Sequence, residues 1–172
     1  MKNALMLSVC ACAAFAQGPD FKSASGGATT HYNQITGLIL RSAEKMPEEN
    51  YAFKPSPDVR TYAGILGHIA DAQYAFCSAA MGEKNPAPGI EKTKTSKADL
   101  TAALKEAVGY CQKAYGALSD DSGGQVVKFF GGERSKLNVL QFNNMHNMEH
   151  YGNLVTYLRI KGIVPPSSEP RK

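Results

Sequence analysis

The sequence predicts an all-α protein, a bundle of four helices in one domain. Four segments carry apolar residues at helical spacing, and connections rich in proline and glycine separate them. The chain has 172 residues, of which 43% are hydrophobic and 20% charged, enough for one domain with a core. No internal repeat, P-loop or dinucleotide-binding motif is evident, so nucleotide-dependent classes are not favoured.

The first predicted helix runs from about Ala28 to Met46 and is stopped by Pro47. A loop with several prolines follows over residues 48–60. The second helix begins after Thr61, a good N-cap, and ends at Gly82.

Residues 82–95 form a connection longer than a helical hairpin needs, which favours a crossover between two parallel helices. Ser96 to Asp99 match a capping box, and the third helix extends to about Ser119. Residues 120–124 have turn composition, and residues 126–130 suit a short extended segment. The fourth helix runs from Ser135 to about Lys161.

The N-terminus has the pattern of a secretory signal peptide over residues 1–16. Lys2 is followed by a short apolar stretch and by Ala14-Phe15-Ala16, an A-x-A cleavage site. We therefore expect export to the periplasm or the extracellular space. Residues 17–28 are rich in glycine and serine and are expected to form a flexible leader.

The charge distribution is typical of a solvated surface. The net charge is only +4, and no basic run interleaved with aromatic residues is present, so no nucleic-acid partner is expected. No apolar stretch after the cleavage site is long enough to span a bilayer stably.

Three histidines form the candidate metal site. His146 and His150 lie one turn apart on the apolar face of the fourth helix, and residues at this spacing are neighbours. If the second and fourth helices are antiparallel, His68 lies at a comparable height. Three imidazoles with an open fourth position suit a catalytic divalent ion. The alternative is a set of neutral core histidines held by hydrogen bonds. His31 is expected at the surface.

Other polar residues near the pair could support it. Asn143, Asn153 and Tyr157 share the histidine face and could orient a substrate or the ligands, although core packing is the simpler role for each. Glu149 completes an H-x-x-E-H string. A peptidase of that type needs a further acidic ligand downstream, and only Glu169 follows, in a tail rich in proline and serine.

Several motifs together resemble those of the DinB-like superfamily of four-helix metalloproteins. They are Pro55-Ser56-Pro57 before Ile65-Leu66-Gly67-His68-Ile69-Ala70-Asp71, then His146-x-x-x-His150-x-Gly152-Asn153, and the ending Leu158 to Pro166. The similarity covers nearly all of the mature chain. We therefore assign residues 29–167 to a DinB-like bundle and residues 168–172 to a C-terminal tail.

The resemblance implies an up-down-down-up bundle with a long crossover between the second and third helices. It implies a divalent ion, zinc or nickel, held by His68, His146 and His150. It also implies that a homodimer is one expected assembly. Characterised relatives include thiol-dependent transferases and isomerases. Parallel second and third helices would place Cys77 and Cys111 at similar heights, where a disulfide can form in an oxidising compartment.

These observations favour a metal-dependent enzyme, of the hydrolase or thiol-transferase type, acting on a small molecule. Export favours hydrolysis, because the thiol cofactors of the relatives are cytosolic. The alternative is a non-catalytic protein that binds a metal or a small ligand. A helical interaction module that only retains the histidine geometry is a third hypothesis.

Overall fold

The computed structural model describes residues 18–170. The predicted signal peptide, residues 1–16, lies outside the described residues, as do Gln17 and the last two residues of the predicted tail. The export signal and the domain limits therefore stay predictions.

The described part of the chain is mainly helical, which confirms the all-α prediction in its coarse form. Four helices are long and two are single turns, and a small β-hairpin precedes the last helix. The helices are α1 (Ala24–Lys45), α2 (Tyr62–Met81), α3 (Ile90–Thr93), α4 (Lys97–Gly116), α5 (Asp120–Gly123) and α6 (Lys136–Ile160). The strands are β1 (Val126–Phe129) and β2 (Gly132–Ser135), and short 3-10 turns occupy Glu48–Asn50 and Pro166–Ser168.

Helix α1 begins at Ala24, earlier than the sequence predicts. The side chain of Ser23 caps the helix by accepting a hydrogen bond from the backbone of Gly26. The carboxylate of Asp20 in turn accepts hydrogen bonds from Ser23 Oγ and from the backbone of Lys22. This cap extends the helix through Gly26 and Gly27, two residues that by themselves disfavour it.

The crossover also contains structure that its composition did not predict. Helix α3 forms within this connection, in its second half. Outside the crossover, α5 replaces the turn expected at residues 120–124. The expected extended segment is the first strand of an antiparallel hairpin that pairs Val126 with Ser135 and Phe129 with Gly132. Phe130 and Gly131 form its two-residue turn, with φ values of 48° and 76°.

Contacts between helix ends define the arrangement of the long helices. The hydroxyl of Tyr62, at the start of α2, donates to the carbonyl of Ser42 near the end of α1. Lys97, at the start of α4, donates to carbonyls at the same end of α1, of which one is that of Met46. In α6, Asn144 donates to the carbonyl of Ala28 near the start of α1, and Tyr157 donates to the carbonyl of Arg60 just before α2.

Apolar residues from all four long helices fill the interior. The largest fully buried side chains are Tyr32, Tyr62, Tyr115, Ile39, Met46, Leu66, Ile69, Leu100, Leu104, Leu140, Leu154 and Leu158. Cys77 of α2 and Cys111 of α4 form a fully buried disulfide with a Cα–Cα distance of 5.3 Å, which confirms the pairing that the family resemblance implied. Within residues 18–170, no helix is long and apolar enough to cross a membrane.

We expect the disulfide to stabilise the fold substantially. Its two cysteines are separated by 34 positions. Closing a loop of that length lowers the entropy of the unfolded chain, which contributes about 3–4 kcal/mol to the free energy of unfolding. Urea unfolding of Cys77→Ala/Cys111→Ala measures the loss. A reducing agent should destabilise the natural protein and leave the double variant unchanged. Equal stability of the double variant and the oxidised natural protein would contradict the prediction.

Candidate metal centre

The three histidines predicted as ligands meet at one point between α2 and α6. His146 Nε2 lies 3.0 Å from His68 Nε2 and 3.1 Å from His150 Nε2. One ligand nitrogen from each of the three lies within 4.8 Å of the others. Two segments far apart in the sequence thus present their Nε2 atoms to the same small volume, which is the arrangement a metal ion requires.

The surroundings keep the three rings neutral. Burial, followed by the neighbouring His150 and His68, lowers the pKa of His146 to about 3. Burial is also the largest cause lowering the pKa of His68 and of His150. The Arg60 guanidinium lowers all three pKa values further. Neutral imidazole is the form that binds a metal, so the site favours the ligand state at neutral pH.

The donor set fits a divalent ion well. Nitrogens bound to one tetrahedral ion at about 2.0–2.1 Å stand roughly 3.3 Å apart, close to the 3.0 and 3.1 Å found between these rings. The three Nε2 atoms face one another, so a cation at their centre satisfies all of them together. Without a cation, His146 Nε2 carries either one proton or one lone pair, so it can form a good hydrogen bond with only one of its two neighbouring rings.

The outer nitrogens of two histidines have polar partners. His68 Nδ1 lies 3.3 Å from a carboxylate oxygen of Glu91 and 3.3 Å from an Arg60 Nη atom. His150 Nδ1 lies 3.3 Å from the side-chain amide of Asn153. With Nε2 on a metal, Nδ1 carries the proton, so His68 Nδ1 donates a hydrogen bond to the Glu91 carboxylate. The same tautomer of His150 requires the side-chain oxygen of Asn153, and not its nitrogen, to face Nδ1. Among the described residues His146 Nδ1 has no hydrogen-bond partner.

The crossover brings Glu91 to the site through a clamp on α2. The carboxylate of Asp71, one turn after His68, accepts hydrogen bonds of 2.8–2.9 Å from the backbone of Gly89, Ile90 and Glu91. These are the free N–H groups at the start of α3. The clamp therefore fixes Glu91 beside the ligand histidine.

Gly67 allows this close approach. A Cβ atom at Gly67 would lie 2.6 Å from Glu91 Cα, nearer than real Cβ atoms come, so the glycine is required where the crossover crosses α2. Glu91 also accepts a 2.9 Å hydrogen bond from Arg60 Nε. A carboxylate, a guanidinium and an imidazole thus form one connected group on the outer side of His68.

A buried polar network sets the register between α2 and α6. Gln73 Nε2 donates to Asn147 Oδ1 at 2.8 Å, and Asn143 Nδ2 donates to Gln73 Oε1 at 3.0 Å. All three side chains are fully buried. Because unpaired amides would be costly there, the network holds α6 at one rotation, the rotation that points His146 and His150 at His68.

The other candidates from the sequence have different roles. Asn153 contacts a ligand histidine, whereas Asn143 belongs to the buried network and Tyr157 donates a 2.6 Å hydrogen bond to the Arg60 carbonyl. Glu149 is exposed, and so is His31 on α1. Both findings agree with surface roles.

Sequence reasoning missed Arg60, Asp71 and Glu91 as members of the site. The sequence could have indicated Asp71, because it is a carboxylate one turn after His68 on a mainly apolar helix. Glu91 gave none, because it lies in a connection whose path depends on the clamp.

Comparison with known proteins identifies the family of the chain. Residues 31–154 match the model of the DinB superfamily, which is most of the chain. The chain belongs to the DinB superfamily. The matched region contains all three histidines.

Known relatives share the fold at low sequence identity. The chain is 24% identical to the uncharacterized protein YjoA of Bacillus subtilis over 139 residues, which is 77% of this chain and 88% of YjoA. A crystal structure of a DinB-like protein from Bacillus cereus superposes with a TM-score of 0.73 at 16% identity, covering 86% of this chain and 98% of that one. The crystal structure of the mycothiol-dependent maleylpyruvate isomerase superposes with a TM-score of 0.62 at 16% identity, covering 76% of this chain and 60% of that one.

We expect Glu91→Gln to weaken zinc binding roughly tenfold or more, as the loss of a carboxylate behind a metal-bound histidine does elsewhere. The amide is a poorer acceptor for the His68 Nδ1 proton. Competition with a zinc indicator measures the dissociation constant. Glu106→Gln, an exposed change on α4, is the matched control and should bind zinc like the natural protein. Equal affinity of both variants would exclude a role for Glu91 in holding the ligand.

The metal-free protein should lose stability in acid through these histidines. The pKa of His146 falls from 6.5 to about 3 on folding, so the unfolded chain binds more protons between these values. The stabilising contribution is full above pH 6.5 and is lost as the pH falls toward 3. Between pH 8 and pH 5, the free energy of unfolding should fall by about 1 kcal/mol less in His146→Gln than in the natural protein. This figure allows for the partial exposure of the His146 ring to solvent. Urea unfolding of chelator-treated protein at both pH values measures this, and equal losses would contradict it.

Proposed function

We propose that this chain binds one divalent metal ion through His68, His146 and His150 and is a metal-dependent enzyme acting on a small molecule. The observation that carries the proposal is the convergence of three neutral Nε2 atoms at 3.0 and 3.1 Å. Three protein ligands leave a position for an exchangeable ligand, as in catalytic and not in structural sites.

The bound ion would supply Lewis acidity, polarising the oxygen or sulfur of a substrate group. The chain's own residues would do the rest. Glu91 accepts a hydrogen bond from His68 Nδ1 and so raises the basicity of the opposite nitrogen. The side chain of Asn153 contacts His150 Nδ1 and so orients the second ring. Tyr157 and Glu91 hold the main chain and the side chain of Arg60, so that its charge stays beside the rings.

The fold supports an enzyme in preference to a non-catalytic protein that binds a metal or a small ligand. It is shared with the mycothiol-dependent maleylpyruvate isomerase. For this chain we propose a hydrolase in preference to a thiol transferase, because we also propose export to the periplasm or the extracellular space. The buried disulfide between Cys77 and Cys111 supports export, since such bonds form and persist in oxidising compartments.

Further parts of the proposal concern the metal and the assembly. Imidazole nitrogens suit zinc and nickel, and we propose one of these as the native ion. We propose an up-down-down-up order for the four long helices. Its support is that the starts of α2 and α4 both contact the end of α1, whereas Asn144 of α6 contacts Ala28 near the start of α1. A homodimer is proposed from the family resemblance alone.

Elemental analysis tests the metal site directly. We expect about one zinc or nickel ion per chain in protein purified from the exported fraction without added metal, and almost none in His146→Ala. His31→Ala, an exposed histidine on α1, is the matched control and should keep its metal. A chelator should lower the melting temperature of the natural protein and of the control only, because a ligand at a hundredfold excess over its dissociation constant adds about 2.7 kcal/mol. Unchanged metal in His146→Ala would refute the site.

A further inference from the structure

Beside the histidines lies an aromatic cluster that the metal site itself does not require. The ring of Phe76 on α2 contacts the ring of His146 edge to face, with 5.2 Å between centroids. Phe76 also contacts Phe129, Phe130 and Phe142 at 5.4, 5.8 and 5.4 Å. We call these four phenylalanines the aromatic wall. It continues from the ligand His146 to the tip of the β-hairpin.

The wall is buried at its base and open at its edge. Phe76 and Phe129 are buried, whereas Phe142 is 37% exposed and Phe130 is 77% exposed. Phe142 lies one turn before His146 on α6, so its ring is on the side of the ligand histidine. An open aromatic surface next to a candidate metal site is where a substrate would meet the protein first.

Phe130 is an unfavourable residue at its position for two independent reasons. The two turn residues both have positive φ, as a type I′ hairpin turn requires, and this turn favours Asn-Gly or Gly-Gly. A bulky side chain at φ 48° is strained. The same ring is mostly exposed, so folding gains little free energy from burying its apolar surface. A strained, exposed aromatic residue in contact with Phe76, the ring that touches His146, points to binding.

We propose that the aromatic wall selects the substrate, with Phe130 as its specificity-determining residue. The substrate then combines a polar group that binds the metal with an aromatic or other large apolar group that lies against Phe130 and Phe142. This inference rests on the proposed metal site and names the substrate class for it. The apolar group lies on the His146 side, because the other side of the triad carries the charges of Arg60 and Glu91.

The test compares two metal-binding probes that differ only in their apolar part. Benzohydroxamate and acetohydroxamate are titrated into the zinc-loaded full-length protein by calorimetry. The natural protein should bind benzohydroxamate roughly tenfold more tightly, because its ring is removed from water against the wall. In Phe130→Asn the preference should fall toward parity, with the affinity for acetohydroxamate unchanged.

The stability of the variant separates binding from a structural role. Phe130→Asn creates the Asn-Gly pair that the turn prefers, so its melting temperature should equal or exceed that of the natural protein. Phe130→Gly should behave in the same way. Phe21→Asn is the control, because Phe21 is 58% exposed and contacts His31 instead of the wall, so it should keep the tenfold preference.

An unchanged probe preference in Phe130→Asn and Phe130→Gly would overturn the inference. If these variants also lose much stability, Phe130 is a structural residue of the hairpin. If Phe130→Asn instead dissociates a dimer of the natural protein, the aromatic wall is a contact between two copies.

The inference can fail while the metal site stands. Zinc that binds stoichiometrically and is lost in His146→Ala supports the site whatever the probes show. If zinc does not bind, the hydroxamates have no metal to bind, and both the metal site and the substrate class are wrong. If zinc binds and both hydroxamates bind equally well, only the substrate class is wrong.

Discussion

The packing of α2 against α6 is the constraint on which the rest of the structure depends, and a buried amide network defines it. Gln73 pairs with Asn143 and Asn147 in a space from which water is excluded. Apolar packing alone would tolerate small rotations of α6, but directional hydrogen bonds do not. A rotation of one residue, 100°, would carry His146 and His150 away from His68. The buried amide network thus fixes the rotation of α6 against α2, and with it the positions of His146 and His150 relative to His68.

Helix α2 organises the site on every side. Its residue His68 belongs to the histidine triad, Asp71 clamps the crossover, Gln73 fixes α6, and Cys77 forms the disulfide with α4. Each of these links reaches a different part of the chain. An error in the position of α2 would therefore affect the ligand, the carboxylate behind it and the wall together, which is why rigid fixation by a covalent bond and by buried hydrogen bonds suits this helix.

Much of the fold could be predicted from local patterns. The long helices follow from apolar spacing, from caps such as Thr61 and Ser96, and from stops such as Gly82, because these signals act within a few residues. Helix α3 and the early start of α1 could not be predicted in this way. The first depends on Asp71, which is distant in sequence, and the second on a cap that outweighs two glycines.

The sequence by itself determined which three histidines come together, since two of them lie one turn apart on an apolar face and the third lies at a comparable height on an antiparallel helix. Only the tertiary structure decided what surrounds them. The carboxylate of Glu91, the charge of Arg60 and the exposed ring of Phe130 come from a crossover, a loop and a hairpin turn. The positions of such segments are set by contacts with the folded bundle, and no periodic pattern in the chain records those contacts.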